Sequence, residues 1–318
     1  MPRLFIATPT HSLQGGVERI LEALARLLPA RGFEVVFGLV RGSRFNDPTK
    51  FRAAFPGITG VEVDGRSGTS YGRRRALRRA IVEVDPDVVL IARLFDAYPA
   101  ACELKHAGHR LRLALTIQAY EPEYFIDLGR YAGSVDVVIT SGELIRSEAV
   151  RSLPEDRVVD IPGGIAIPHR FVTRSAGPLR IGYVGRLAQT QKRALDLIAL
   201  DAELRRRGIA FTLDVAGDGE VAGELRERLP DARFHGWTST DELYERVYPE
   251  LDVLVHFAEW EGITIAPREA MAHGVVPVIS SFPGHAQQFL HDGNALVFPV
   301  GDVRAAADAI ARLSPETL

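Results

Sequence analysis

The chain has 318 residues, of which 46% are hydrophobic and 25% are charged. At about 100–200 residues per domain, this is enough for two buried cores in a soluble globular protein. The formal net charge of −3 excludes the overall basicity that would indicate a nucleic-acid-binding protein. A single cysteine, Cys102, excludes an internal disulfide and a cysteine-based metal site, and is typical of the reducing cytosol.

The first half of the chain alternates short β-branched apolar runs with helical stretches. The predicted strands cover 4–8, 34–40, 87–92, 112–117, 136–140 and 158–161, and the predicted helices include 17–28, 73–84 and 142–151. This alternation is typical of βα units around a parallel sheet. The N-terminal segment lacks the apolar region of a signal peptide, and no apolar run reaches the roughly 18–20 residues that span a bilayer. We therefore expect a cytoplasmic protein.

A second α/β pattern follows a segment, 162–178, that holds three prolines and three glycines and has no amphipathic period. Beyond it the predicted strands are 179–184, 211–216, 232–235, 253–256, 276–280 and 295–297. The predicted helices are 193–207, 220–229, 240–247, 265–273 and 303–313. The sequence therefore predicts an α/β protein with two domains, 1–165 and 166–318.

Three loops after predicted strands have the composition of phosphate-binding segments. The first contains Gly15 and Gly16, the second contains Arg186 and Lys192, and the third contains Gly217. Glycines allow a ligand to approach the backbone closely, and the helix that follows each loop offers free N–H groups. Arginine and lysine can hold a diphosphate. Each pattern alone is also compatible with an ordinary strand–helix turn.

A fourth stretch places two carboxylates around the start of one helix. Glu261 lies in the loop after the predicted strand 253–256, and Glu269 follows eight residues later in the next helix. Carboxylates accept hydrogen bonds from sugar hydroxyls, while the N–H groups near Gly262 suit phosphate oxygens. In isolation the pair would also fit two acids on a helix surface.

Taken together, the order and spacing of these stretches resemble the GT-B glycosyltransferases, particularly the retaining family 4 type. The resemblance is strong over 170–318, where Glu261 and Glu269 match the family's Glu-x7-Glu motif, and weak over the first 165 residues. It implies two Rossmann-like domains with parallel sheets facing across a cleft. The N-terminal domain would bind the acceptor, and the C-terminal domain would bind a nucleotide sugar. Rival interpretations are a sugar-nucleotide epimerase, a phosphorylase, or a non-catalytic nucleotide-binding subunit.

The resemblance also implies a role for each matching residue. Glu269 would bind the ribose hydroxyls, Glu261 the sugar ring, and Arg186 and Lys192 the diphosphate. The residues implied to contact phosphate, sugar or base through backbone or ring are Gly15, Gly16, Gly217, Trp237, Gly262, Ile263, Thr264 and Ile265. Arg193 is an alternative to Lys192, because the spacing after Arg186 is one residue longer than the family's commonest pattern.

The acceptor side is less defined, and Gln118, Tyr120, Glu121 and His11 are the candidates for acceptor binding, Gln118 also as a catalytic residue. The run Gln118-Ala-Tyr-Glu-Pro resembles a subset of the family that includes rhamnosyltransferases. The expected reaction moves a hexose or deoxyhexose from a UDP-, GDP- or dTDP-sugar to a glycan, lipid-linked or small-molecule acceptor, with no metal or cofactor. The basic stretch 71–81 suggests peripheral contact with the inner membrane face, although a solvated helix face is the favoured explanation.

Overall fold

The computed structural model describes residues 1–9, 16–42, 47–173, 177–262 and 264–313. These residues form two compact units, Met1–Gly163 and Gly164–Leu318. The boundary predicted after residue 165 lies close to this division. No described helix is both long enough and apolar enough to cross a bilayer.

The first unit is a seven-stranded parallel sheet. Its strands are β1 (Arg3–Thr8), β2 (Glu34–Arg41), β3 (Gly60–Asp64), β4 (Val88–Ile91), β5 (Arg112–Ile117), β6 (Val137–Thr140) and β7 (Val158–Asp160). Its helices are α1 (Gly16–Leu27), α2 (Pro48–Ala54), α3 (Ser70–Val84), α4 (Ala97–His106), α5 (Pro122–Tyr131) and α6 (Glu143–Ala149). The strand order is β3-β2-β1-β4-β5-β6-β7, so the winding direction reverses between β1 and β4.

The second unit is a six-stranded parallel sheet. Its strands are β8 (Leu179–Val184), β9 (Phe211–Ala216), β10 (Arg233–Gly236), β11 (Val253–His256), β12 (Val276–Ser280) and β13 (Leu296–Phe298). Its helices are α7 (Asp196–Arg206), α8 (Ala222–Arg228), α9 (Thr240–Glu242), α10 (Ile265–Ala272) and α11 (Val303–Ala311). The strand order is β10-β9-β8-β11-β12-β13, which reverses between β8 and β11.

The burial of the strands explains why both sheets are parallel and covered by helices. All four residues of β11 are buried, and three of the four residues of β4 are. Strands that are apolar on both faces need a helical layer on each face. Since ligands of such sheets bind beyond the carboxyl ends of the strands at the reversal point, the loops after β8 and β11 are the expected site in the second unit.

Two regions depart from the predicted elements. The strand β3 was not predicted, because Gly60–Asp64 has only one fully buried residue and so lacks a strong apolar run. The predicted helix 240–247 is α-helical only over Thr240–Glu242 and continues as a π-helical turn over Leu243–Val247. A π-turn brings different side chains to one face than an α-helix does.

Candidate active site

The reversal point of the second sheet brings together the predicted cation and the first predicted carboxylate. The Lys192 ammonium contacts Glu261 Oε1, and the two side chains are only 18% and 6% exposed. Lys192 follows β8 and Glu261 follows β11, which are neighbouring strands in the sheet. The pair therefore depends on the sheet order and not on proximity along the chain.

The charge state of Glu261 is set by its two neighbours. Burial by itself would raise the pKa of Glu261, but Lys192 and the nearby His256 lower it to about 2. His256 Nε2 lies 3.0 Å from the same carboxylate oxygen, too poorly aligned for a regular hydrogen bond. Burial lowers the pKa of His256 below its usual range, against the opposing effect of Glu261.

His256 is a site residue that the sequence analysis did not select. It ends β11 and is 5% exposed, and its ring packs edge-on against Phe282. The sequence did contain one indication of this role, which is a histidine at the end of an apolar predicted strand. A buried polar ring needs a polar partner, so this histidine could have been selected.

The second predicted cation, Arg186, is exposed and connected to the same loops through Gln191. Arg186 Nη2 donates to Gln191 Oε1 over 2.7 Å, and Gln191 Nε2 donates to the carbonyl of Trp260 over 3.1 Å. Gln191 therefore ties the loop after β8 to the loop after β11.

Arg193, the alternative to Lys192, points to other partners. Its guanidinium Nε donates to Asp196 Oδ2 over 2.8 Å and lies 3.7 Å from Glu259 through Nη1. Arg193 is therefore ion-paired with these two acids. Lys192, and not Arg193, is the residue that reaches Glu261.

The second predicted carboxylate, Glu269, is buried among aromatic residues. Tyr248 donates its hydroxyl to Glu269 Oε2 over 2.7 Å, and Tyr244 donates to Oε1 over 3.3 Å. Glu269 itself is 3% exposed. A carboxylate oxygen can accept more than one hydrogen bond, so these two donors leave acceptor capacity for ligand hydroxyls.

The tyrosines reach Glu269 from the π-helical turn and the short 3-10 helix that follows it. His273 completes the cluster, with its ring stacked on Tyr248 and its Nδ1 2.7 Å from the Glu269 carbonyl. The sequence analysis missed both tyrosines, although their spacing of four residues places them on one side of a helical turn.

The start of α10 is held by a side-chain bridge. Thr264 precedes the helix and donates its hydroxyl to Gln288 Oε1 over 2.7 Å, and Gln288 Nε2 donates to the Gly262 carbonyl over 3.4 Å. The first N–H groups of a helix, here from Ile265 onward, have no intrahelical partner. Ile263, also predicted to contact the ligand, lies outside the described residues.

Two other predicted nucleotide contacts have different surroundings. Gly217 has φ +143°, and a Cβ atom added there would lie 1.9 Å from the Gly185 carbonyl oxygen. The close packing of the two loops therefore requires glycine independently of any ligand. Trp237, which follows β10, is 50% exposed.

In the first unit, the described acceptor candidates lie at or near the end of β5. Gln118 Nε2 donates to Thr116 Oγ1 over 3.0 Å, and Tyr120 donates to Glu148 Oε2 over 3.4 Å. Glu121 is partly buried immediately before α5. Gly16 begins α1, whereas Gly15 and His11 lie outside the described residues.

The basic stretch 71–81 forms most of α3, and three of its five arginines are ion-paired with acids. Arg73 pairs with Asp96, and Arg74 and Arg78 pair with Glu103 of α4. This compensation reduces the positive surface that α3 offers to an anionic membrane.

Among the residues that the structure describes, no group of three or more His, Cys, Asp or Glu side chains could hold a metal ion. The charged groups near the end of β8 and β11 are instead a lysine, an arginine and a carboxylate. Such a set can bind an anion and hydroxyl groups directly.

Two Rossmann-like units, with paired charges at the reversal point of the second, define a protein of the GT-B class. Solved structures agree: HepE of Anabaena, in complex with UDP-glucose, matches with a TM-score of 0.77 over 98% of this chain and 89% of its own, at 16% sequence identity. At that identity the likeness shows the fold alone.

Sequence comparisons identify the family. The model of the group 1 glycosyl transferases matches residues 178–315, and the model of glycosyltransferase family 4 matches residues 14–167. The chain therefore belongs to the GT-B glycosyltransferases of the family 4 type, a family of transferase enzymes.

Two curated relatives are similar over part of the chain. EpsF of Bacillus subtilis, a candidate glycosyltransferase, is 34% identical over 143 residues, which are 42% of this chain and 36% of that protein. A GDP-mannose-dependent alpha-mannosyltransferase of Corynebacterium glutamicum is 36% identical over 132 residues, which are 41% of this chain and 30% of that protein. The matches thus span about a third of these relatives' own length.

Proposed function

We propose that this chain transfers a hexose or deoxyhexose from a nucleoside diphosphate sugar to a hydroxyl group, with retention of the anomeric configuration. The observation that carries the proposal is the meeting of Lys192, Glu261 and the Arg186–Gln191 link at the carboxyl ends of β8 and β11. A family 4 membership and relatives named for UDP-glucose and GDP-mannose support the donor class.

In this proposal the second unit binds the donor. Glu269, held by Tyr244 and Tyr248, accepts hydrogen bonds from the ribose hydroxyls. Arg186 and Lys192 bind the diphosphate, together with the first N–H groups of α10. Trp237 lies near the base, and Glu261 accepts hydrogen bonds from the hydroxyls of the sugar ring.

The chemistry requires that negative charge be stabilised on the leaving group. The bond between the anomeric carbon and the diphosphate oxygen breaks, and the acceptor oxygen forms a new bond on the same face of the sugar. The acceptor proton passes to the departing β-phosphate. Because Arg186 and Lys192 stabilise the negative charge that develops on the diphosphate, the proposal requires neither a metal ion nor a cofactor.

The Lys192–Glu261 contact implies an exchange of partners when the donor binds. Without a ligand, the lysine neutralises a buried carboxylate; with a diphosphate present, the lysine has a second anion to bind. His256, 3.0 Å from the same carboxylate oxygen, then remains beside Glu261. A buried carboxylate without any polar neighbour would be costly, so His256 allows Lys192 to act on the leaving group.

The first unit binds the acceptor, with Gln118, Tyr120 and Glu121 as candidate contacts. The acceptor is a glycan, a lipid-linked sugar or a small molecule. Peripheral contact with a membrane through α3 stays a prediction. Flotation with anionic vesicles at low salt tests it, and absence of binding would rule it out.

The test of the proposed function is a donor screen in the presence of EDTA. Release of UDP, GDP or dTDP is measured from a panel that includes UDP-glucose, GDP-mannose and dTDP-rhamnose. We expect one nucleotide class to be consumed and the product to keep the donor's anomeric configuration in NMR spectra. Consumption of another donor with dTDP-rhamnose inert would reject the rhamnosyltransferase interpretation.

Variants assign the reaction to the site. Arg186→Gln should lower turnover at least tenfold, whereas Arg304→Gln, at an exposed position of α11, should leave it unchanged. Calorimetric titration with the nucleoside diphosphates provides the second measurement. The proposal fails if no donor is hydrolysed and no nucleoside diphosphate binds.

A further inference from the structure

Arg93 has an unusual backbone at the carboxyl end of β4. Its φ is +57°, which is in the left-handed region that side chains other than glycine, asparagine and aspartate rarely adopt. Of the four non-glycine residues with positive φ in the described ranges, two are aspartates and a third, Arg193, is ion-paired. Strained residues of this kind are concentrated at functional sites, where the surrounding structure holds them.

The side chain of Arg93 is partly buried and has no ion pair or hydrogen bond within the described part of the chain. The nearest acid along the chain, Asp96, is taken by Arg73 and Ser70 of α3. A partly buried guanidinium with five N–H donors and no acceptor is an incomplete arrangement. It therefore calls for an external anion.

The next two strands in the sheet also end in polar atoms without partners. Gln118 has its side-chain amide held at one end by Thr116, while the other end is buried and unpaired. Ser141 is 6% exposed, and its buried hydroxyl has no hydrogen-bond partner. Buried polar atoms are nearly always paired, so two such atoms at one edge indicate a missing ligand.

The sheet register brings these three residues to one edge. Ile91 of β4 is opposite Leu115 of β5, and Ile117 is opposite Thr140 of β6. Gln118 and Ser141 therefore each directly follow this last register pair, and Arg93 lies two residues beyond the end of the neighbouring β4. Adjacent strands are about 4.8 Å apart, a spacing that suits the successive groups of one sugar-sized molecule.

We propose that this β4–β6 edge, defined by Arg93, Gln118 and Ser141, binds an acceptor sugar that carries an oxyanion, either a phosphate or a carboxylate. Arg93 pairs with the oxyanion through its planar fork, and Gln118 and Ser141 bind the hydroxyls. The edge lies beside the β1–β4 reversal point, where ligands of such sheets bind. This inference names the class of acceptor. That the bound sugar is an acceptor rests on the proposed function, whereas the binding of an anionic sugar to this edge does not.

Binding is tested without any donor, using ligand-observed NMR with glucose 6-phosphate, glucuronate and methyl glucoside. We expect one or both anionic sugars to bind the wild type and methyl glucoside to bind at least tenfold more weakly. Binding of glucose 6-phosphate would identify a phosphate as the oxyanion, and binding of glucuronate would identify a carboxylate. Arg93→Gln should weaken the anionic sugar at least tenfold. Arg110→Gln, an exposed arginine just before β5 at the opposite edge, is the matched control.

Three outcomes would overturn the inference. They are equal binding of the neutral and anionic sugars, loss of binding in Arg186→Gln but not in Arg93→Gln, and absence of binding by all three sugars. Because the binding experiment contains no donor, it tests the inference even if the chain has no transferase activity. If no donor is hydrolysed and no nucleoside diphosphate binds, but Arg93-dependent binding of the anionic sugar is retained, the proposed function alone is rejected.

A second variant separates the binding role from folding. Arg93→Gly removes the side chain and also relieves the left-handed backbone. We expect its melting temperature to equal or exceed that of the wild type, while the anionic sugar is lost as in Arg93→Gln. A lowered melting temperature in this variant would show that Arg93 has a structural role, and would contradict the argument from strain.

Discussion

Replacing Lys192 with methionine would leave the Glu261 carboxylate buried with His256 as its main polar neighbour. The magnitude follows from the carboxyl pKa, which the site lowers from 4.5 to about 2. At about 1.4 kcal/mol per pKa unit, this fall is worth about 3 kcal/mol of stability at neutral pH. Since Lys192 is the largest contribution that lowers the pKa, we expect Lys192→Met to destabilise the second unit by about 3 kcal/mol at pH 7.

The pH dependence gives the prediction its sign. In the wild type the stabilisation is complete above the unfolded pKa of 4.5 and is lost as the pH falls towards about 2. In Lys192→Met the folded carboxyl takes up a proton at higher pH, because burial then dominates. The difference in unfolding free energy between the two proteins should therefore shrink as the pH falls from 7 to 4.

The assay is urea unfolding followed by tryptophan fluorescence. Both tryptophans of the chain, Trp237 and Trp260, belong to the second unit, so the signal reports that unit even if the two units unfold separately. Lys192→Arg, which retains the charge, is the control. The double variant with Glu261→Gln should recover at least about 1.5 kcal/mol relative to Lys192→Met. A loss below about 1 kcal/mol, or one independent of pH, would refute the reasoning.

Three further predictions concern neighbouring features. Tyr248→Phe removes a 2.7 Å hydrogen bond to the buried Glu269, so the free energy of unfolding in urea should fall by about 1–3 kcal/mol. Nucleoside diphosphate binding, measured by calorimetry, should weaken severalfold. Tyr71→Phe, at a 74% exposed position, is the control. Gly217→Ala should cost at least about 2 kcal/mol because its Cβ would lie 1.9 Å from the Gly185 carbonyl oxygen, whereas Gly223→Ala, in open space on α8, should be neutral or stabilising in thermal melts. Finally, His256→Leu should weaken nucleoside diphosphate binding and lower turnover, each severalfold, because Lys192 would then leave Glu261 without a polar neighbour when it binds the diphosphate. Rescue by His256→Asn would indicate a polar contact with Glu261, whereas unchanged diphosphate affinity and turnover in His256→Leu would contradict that role.

The amino-acid sequence by itself determined the parallel α/β architecture and selected the candidate site residues, which stay a prediction. Short runs that are apolar on both faces, such as β4 and β11, can be stable only in a sheet covered on both sides. The Glu261–Glu269 spacing and the strand–loop–helix pattern around Arg186 are properties of single segments. Local patterns of this kind can be seen without any tertiary contact.

Only the tertiary structure decided which partners these residues have. The contact of Lys192 with Glu261 joins loops 69 residues apart, and Tyr248 reaches Glu269 across 21 residues. His256 contacts Glu261 because β11 ends beside that residue, whereas Arg193 is ion-paired with Asp196. Likewise, Arg93, Gln118 and Ser141 share an edge through the order β4-β5-β6. Burial, charge compensation and strand order depend on distant segments, and local sequence patterns do not encode them.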